Sequence, residues 1–307
     1  MATQTSTDHE GSIAAGSTIG RVSLTVRDIA RAREFYEQAI GLVASEGPDG
    51  SVLLAPARWP ALIALHGDPA APPRDPHQTG LFHQAILLPT RRDLAVALVR
   101  LSNSGWRLSG ASDHLVSEAL YLQDPEGNGI EIYSDRDRSE WTSDEHGQVQ
   151  MNTLPLDIED LLRELERAPI DPEADRLMPE GTRIGHIHLQ VADIASVERF
   201  YAGVLGFDVM VRTYPGALFV SAGGYHHHVG LNVWNSRGGS TPPPGGVGLR
   251  DYEIKLGTAD ALAAALARVE EAGITIEDAP GVAIGGAGGD GAALVRDPSA
   301  NGILLTV

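Results

Sequence analysis

The strongest constraint on this chain is that it repeats itself. Ile184-Gly-His-Ile-His-Leu-Gln-Val-Ala-Asp-Ile194 copies, with substitutions, the earlier stretch Ile19-Gly-Arg-Val-Ser-Leu-Thr-Val-Arg-Asp-Ile29. Each copy alternates as a half-buried strand does and ends in an Asp suited to capping a helix. Each is then followed by an aromatic pair and a glycine, Phe35-Tyr36 with Gly41 and Phe200-Tyr201 with Gly206. A second pair of related segments begins Gly80-Leu and Gly248-Leu, and closes with Asp-Pro turns before Asn-Gly-Ile, at Asp124-Pro-Glu-Gly-Asn128 and Asp297-Pro-Ser-Ala-Asn301. Helix signals (Thr90 or Asp93 at one start, an Ala-rich run from Ala259 to Ala272) lie between these landmarks.

The pattern predicts an α+β fold of four βαβββ modules in two tandem pairs. The modules span 18–68 and 80–135 in an N-terminal domain (18–135), then 183–235 and 248–307 in a C-terminal domain (183–307). Strands are expected near Trp106–Ser109 in the second module and over His226–Trp234 in the third. A four-stranded sheet with one helix leaves a concave face uncovered, so two modules together close a cup. Two cup-shaped half-barrels are expected. Residues 136–182 form a charged, turn-rich connector with one amphipathic helix, Ile158 to Arg167. A connector this long lets the halves sit in more than one mutual arrangement.

Composition narrows the chemistry. With 23 Lys and Arg against 41 Asp and Glu, the net charge of −18 argues against nucleic acid and anionic membranes, which both need basic surface. The chain has no cysteine, so a metal must be held by His, Asp or Glu, which suits Fe(II), Mn(II), Ni(II) or Zn(II). No apolar run approaches the roughly 20 residues of a membrane span. Residues 1–17 are small and polar without the apolar core of a signal peptide, so a disordered tail and a cytoplasmic location are expected. Module edges are buried within the chain, so oligomerisation is not forced.

These modules resemble the vicinal oxygen chelate superfamily, which includes glyoxalase I, bleomycin-resistance proteins and extradiol dioxygenases. The likeness covers about 18–135 and 183–307. Ser112-Asp-His-Leu-Val-Ser-Glu-Ala-Leu-Tyr121, Asp124-Pro-Glu-Gly-Asn-Gly-Ile-Glu-Ile-Tyr133 and Gly223-Gly-Tyr-His-His-His-Val-Gly-Leu-Asn232 are similar to the four-module catechol 2,3-dioxygenases of bacteria. The resemblance implies a dioxygenase that takes a small aromatic diol and O₂, with Fe(II), or alternatively Mn(II), as cofactor.

In that superfamily, ligands sit at one position of a module's first strand and one of its last. Here those positions hold Arg21, His83, His186 and Asp251 on first strands, and Glu131, the neighbourhood of His228 and Gly230, and Leu304 on last strands. Pairing modules one with two, or three with four, leaves an incomplete set. Pairing two with three collects His83, His186 and Glu131, a two-His-one-carboxylate set with positions left for substrate and O₂. Modules one and four would then face Arg21 toward Asp251 as an ion pair. His186 and His188 share a strand face, and register decides between them.

The resemblance further implies acid–base work by His228 (with His226 on the same strand face) and substrate hydrogen bonds from His114 and Tyr121. His227 is expected to point away from the cup by strand alternation. Two alternatives remain. A glyoxalase-like isomerase or lyase would need a fourth ligand near His228 or Gly230, and no carboxylate stands there. A metal-free bleomycin-resistance-type binding protein would need no triad.

Overall fold

The computed structural model describes residues 11–57, 60–145, 148–277 and 291–307. The first module contains β1 (Thr18–Val26), α1 (Ile29–Phe35) running into a π-helical turn, β2 (Val43–Glu46), β3 (Val52–Ala55) and β4 (Ile63–Gly67). The second contains β5 (Gly80–Leu87), α2 (Arg91–Ser104), β6 (Gly110–Asp113), β7 (Ser117–Gln123) and β8 (Gly129–Asp135). The connector adds β9 (Leu154–Pro155) and α3 (Ile158–Arg167). The third module has β10 (Arg183–Gln190), α4 (Ile194–Glu198) with its own π-helical turn, β11 (Asp208–Val211), β12 (Ala217–Ser221) and β13 (Val229–Asn232). The fourth shows β14 (Gly248–Lys255), α5 (Ala259–Glu271), β15 (Ala292–Arg296) and β16 (Gly302–Thr306). Part of the fourth module, 278–290, lies outside the described residues, as do residues 1–10 of the expected tail.

The repeated residues do the work their chemistry suggests. Asp28 and Asp193 accept the backbone N–H groups of Arg31 and Ser196, satisfying donors that a helix start leaves free. Thr90 and Asp93 form a reciprocal capping box. Tyr36 and Tyr201 are fully buried, and their hydroxyls donate to the carboxylates of Asp124 and Asp297 at 3.2 Å. Each Asp-Pro turn is therefore also an anchor between an odd and an even module. Asp124 accepts the N–H groups of Glu126 and Asn128, while Gly127 takes a φ of 84°.

Two sheets result, with orders β15-β16-β14-β1-β4-β3-β2 and β11-β12-β13-β10-β5-β8-β7-β6-β9. The seams are antiparallel pairs across the chain's halves, β1 with β14 and β10 with β5. The cups thus join module one to four and two to three. Val22, Leu24, Ile86, Ile187, Leu189 and Ile254 belong to one continuous apolar core. Fully burying each such side chain contributes about 1.5–3 kcal/mol. On β10 the alternate residues, His186 and His188, face the opposite way, into the cup of the nine-stranded sheet.

Several expectations are corrected. Residues 11–17 are a docked arm rather than a tail. Ile13 is buried, and its N–H donates to the carbonyl of Gly206. The strand expected at Trp106–Ser109 forms at Gly110–Asp113, where it pairs with β7. The connector is part of the sheet, because β9 pairs with β6. Arg21 and Asp251 make no ion pair: a bulge in β1 sets Gly20 and Arg21 opposite Glu253, whose carboxylate accepts the Arg21 N–H, while Asp251 pairs with Ser23. No described helix is long and apolar enough to cross a membrane.

Candidate metal centre and active site

Three strands bring the candidate ligands together. β5 supplies His83, its parallel neighbour β8 supplies Glu131, and its antiparallel neighbour β10 supplies His186. Strand alternation aligns them, since Ala85, two residues from His83 on the same face of β5, pairs with both Glu131 and His186. Two bulges in the β5–β10 seam flank this stretch, one leaving Phe82 unpaired and one leaving Gly185 unpaired. Gly185 cannot carry a side chain, since a Cβ there would lie 1.9 Å from the Tyr133 hydroxyl.

His83 Nε2 lies 3.0 Å and His186 Nε2 lies 3.1 Å from the same oxygen of Glu131, Oε2. All three side chains are buried, and among the described residues this is the one group of metal-capable side chains so disposed. Burial pushes the His186 imidazole down to about 4, so it is neutral at pH 7 and has a lone pair to give. Burial works against an ionised Glu131, but its contacts with His186 and His83 outweigh that and hold the carboxyl well below the usual range. His83 Nε2 has no properly directed hydrogen bond despite its short distance to Glu131. An orphaned buried nitrogen, a second imidazole and a carboxylate converging on one point fit a divalent metal with N, N and O donors.

The centre opens into a cavity of about 370 Å³. At one end stand Tyr121, His114 and the connector residues Asn152 and Thr153. His114 Nδ1 faces the Asn152 carbonyl at 2.6 Å, and a carbonyl only accepts, so Nδ1 carries the proton. His114 Nε2 then accepts from the Tyr121 hydroxyl at 2.6 Å. At the other end Phe82, Phe219 and Trp234 surround His188, whose buried Nε2 has no partner. Gly230 runs beside it, where a Cβ would sit 2.9 Å from the His188 ring.

The histidine run departs from the sequence expectation. β13 begins only at Val229, and His226 to His228 follow a turn in which Gly223 and Gly224 take positive φ, so alternation does not govern them. His227 lines the cavity and its ring lies 4.1 Å from that of His186. Burial holds its imidazole well below 6.5. His228 turns away, its Nδ1 accepting from the Ala222 N–H and meeting the Ser221 hydroxyl. His226 is fully buried behind His227, bonded to Asp135. The expected orientations of His227 and His228 are thus exchanged. The cup of modules one and four has a larger cavity, about 750 Å³, with Leu304 in its wall.

The family model for the glyoxalase/bleomycin resistance protein/dioxygenase superfamily matches residues 18–132 and 183–305. The chain belongs to this superfamily. A catechol-2,3-dioxygenase of Bacillus subtilis is 44% identical over 265 residues, 85% of this chain and 90% of that one. Among solved structures, a Bacillus subtilis protein superposes with a TM-score of 0.60 at 11% identity, covering 96% of this chain and 86% of its own. Glyoxalase I of Zea mays gives 0.53 at 15% identity, covering 95% and 92%. At such identities these two superpositions speak to the shared fold.

Proposed function

We propose that this superfamily member is an extradiol dioxygenase that cleaves the ring of catechol or a substituted catechol beside its hydroxyls, inserting both atoms of O₂. His83, His186 and Glu131 would hold Fe(II), with Mn(II) as the alternative, since the donor set suits both. The convergence of two buried imidazoles on one carboxylate oxygen in a closed cup carries this reading. The metal would supply chelation of both substrate oxygens and electron transfer to O₂. Three protein donors leave coordination positions for those groups.

The chain's own side chains would handle protons and shape. Tyr121 already donates to His114, so its oxygen is free to accept a catechol hydroxyl proton as its own proton moves to His114 Nε2. His114 thus acts through Tyr121, and its second nitrogen is committed to Asn152. His227, rather than His228, is assigned the acid–base work at the oxygen-binding side, because it lines the cavity. Phe82, Phe219 and Trp234 form an apolar wall that keeps bulk water from the ring. The 44% identity to a catechol-2,3-dioxygenase over most of both chains supports the substrate class. A glyoxalase-like activity is disfavoured by Gly230, which offers no fourth ligand where it borders His188.

The test is anaerobic reconstitution with Fe(II), followed by catechol and air. The wild type should consume one O₂ per catechol and give a yellow product, whereas His186→Ala should lose both iron and activity. Metal binding without O₂ uptake on any catechol would overturn the dioxygenase assignment, and failure to bind metal would favour a binding protein.

A further inference from the structure

His226 and Asp135 play no part in the chemistry described above, yet the half-buried Asp135 and the fully buried His226 form a chain leading to it. Asp135 Oδ1 lies 3.0 Å from His226 Nε2, and His226 Nδ1 lies 2.8 Å from His227 Nδ1. A carboxylate only accepts, so His226 donates through Nε2. In the neutral ring so oriented, His226 Nδ1 is a lone pair that accepts from His227 Nδ1–H. The proton of His227 is thereby fixed on Nδ1, and Nε2 is left as a lone pair in the cavity wall, since the partner of one nitrogen sets the state of the other.

We infer that Asp135 and His226 are positioning residues that set the tautomer of His227, presenting Nε2 to the cavity as a base. The inference rests on the acid–base assignment of His227 made above.

The surroundings hold this chain in place. The Tyr225 hydroxyl donates to the same carboxylate and meets the Tyr133 hydroxyl at 2.7 Å. The ring of Trp141 packs 5.3 Å from that of His226, and the Arg138 guanidinium lies 5.6 Å over the indole. Arg138 also donates to the carbonyls of Gly223 and Gly224, pinning the turn that launches the histidine run. The N-terminal arm closes the other side. A Cβ on Gly223 would sit 2.3 Å from the Ala15 carbonyl oxygen, so only glycine admits the arm there. Elements from the connector and from the first residues before module one thus converge behind one imidazole of module three.

The experiment combines ¹⁵N NMR of the histidine rings, in protein loaded with diamagnetic Zn(II), with steady-state kinetics of the Fe(II) enzyme. The His227 resonances are assigned by their loss in His227→Phe. In the wild type, Nδ1 should be the protonated nitrogen. His226→Phe and Asp135→Leu should shift His227 toward the other tautomer and lower kcat about tenfold, with KM and metal content unchanged, at the lower end of the usual effect of such supporting residues. Asp135→Asn keeps an acceptor oxygen and should restore the tautomer and most of kcat, which a merely space-filling role would not predict. An unchanged His227 tautomer in both His226→Phe and Asp135→Leu overturns the inference. Full activity of His227→Phe would instead overturn the assignment of His227, and the NMR arm decides the tautomer whichever reaction the enzyme performs.

Discussion

Replacing Glu131 by glutamine separates a metal site from a buried ion-pair cluster, because the two roles predict different responses. The side chain keeps its size and one acceptor oxygen but loses its charge. If Glu131 served mainly to neutralise cationic histidines, removing it would strand buried charge and cost about 3–5 kcal/mol in metal-free protein. The structure argues otherwise, since burial keeps His186 neutral down to about 4. His186 then leaves no orphan charge, and the metal-free change should stay under about 1.5 kcal/mol, the scale of one hydrogen bond. The metal-loaded protein should respond strongly. At a metal concentration of 100 times the wild-type Kd, binding stabilises the fold by about 2.7 kcal/mol. At about 2–4 °C per kcal/mol, that is a rise of about 5–10 °C in Tm. Losing the anionic ligand should weaken binding at least about 100-fold, which is about 2.7 kcal/mol. At the same metal concentration the stabilisation falls to about 0.4 kcal/mol, or about 1–2 °C. Anaerobic calorimetry with and without Fe(II) measures both quantities. A wild-type metal shift in Glu131→Gln, or a metal-free loss of about 3 kcal/mol or more, would refute the reasoning.

Gly230→Ala would place a methyl group 2.9 Å from the His188 ring and force it toward the cavity. We expect a stability loss of about 1–3 kcal/mol and a raised KM with unchanged metal content; wild-type stability and KM would show that the ring has room to retreat. Burial raises the carboxyls of Asp124 and Asp297 above 3.8, against hydrogen bonds from Asn128 and Asn301. A raised folded value means that the linked stability is fully present below the unfolded value and is lost as pH rises through the folded one. Urea unfolding of metal-free protein should therefore show a decline above pH 3.8 that Asp124→Asn/Asp297→Asn flattens, and an unaltered profile would count against it.

What the sequence revealed and what it hid divide along physical lines. Module boundaries, helix caps and Asp-Pro turns were legible because each depends on local chemistry repeated in two copies. The meeting of His83, Glu131 and His186 was foreseeable because side chains alternate along strands, so family positions project to one face. The histidine run was misjudged because alternation was applied to residues that precede β13. The signal lay in Gly223 and Gly224, whose positive φ values end the strand logic. The arm of residues 11–17 reads as a tail because a single apolar side chain, Ile13, and backbone groups anchor it, too few for a periodic pattern. Its trace in the sequence is indirect: Gly206 and Gly223 are glycines because Gly11 and Ala15 pass within Cβ distance. The connector's share in the cavity was equally hidden, since Asn152 acts through its backbone carbonyl, which any residue could supply.

The division of ligands between the halves has an energetic consequence. His83 and Glu131 belong to the first half of the chain and His186 to the second, so a metal held by all three would tie the halves together across the β5–β10 seam. That seam carries two bulges, and each bulge gives up regular ladder pairing. The opposite seam, β1 with β14, is also bulged, but its cup has Arg21 on β1 and Leu304 on β16 where ligands would stand. There it relies on apolar packing by residues such as Val22, Leu24 and Ile254. Binding energy at a site absent from the unfolded chain is folding energy. The stabilisation measured on adding metal would thus act at the nine-stranded sheet, and removing a ligand from either half should abolish the same increment. His186→Ala and Glu131→Gln should therefore lose similar metal-dependent stability although their residues lie in different halves.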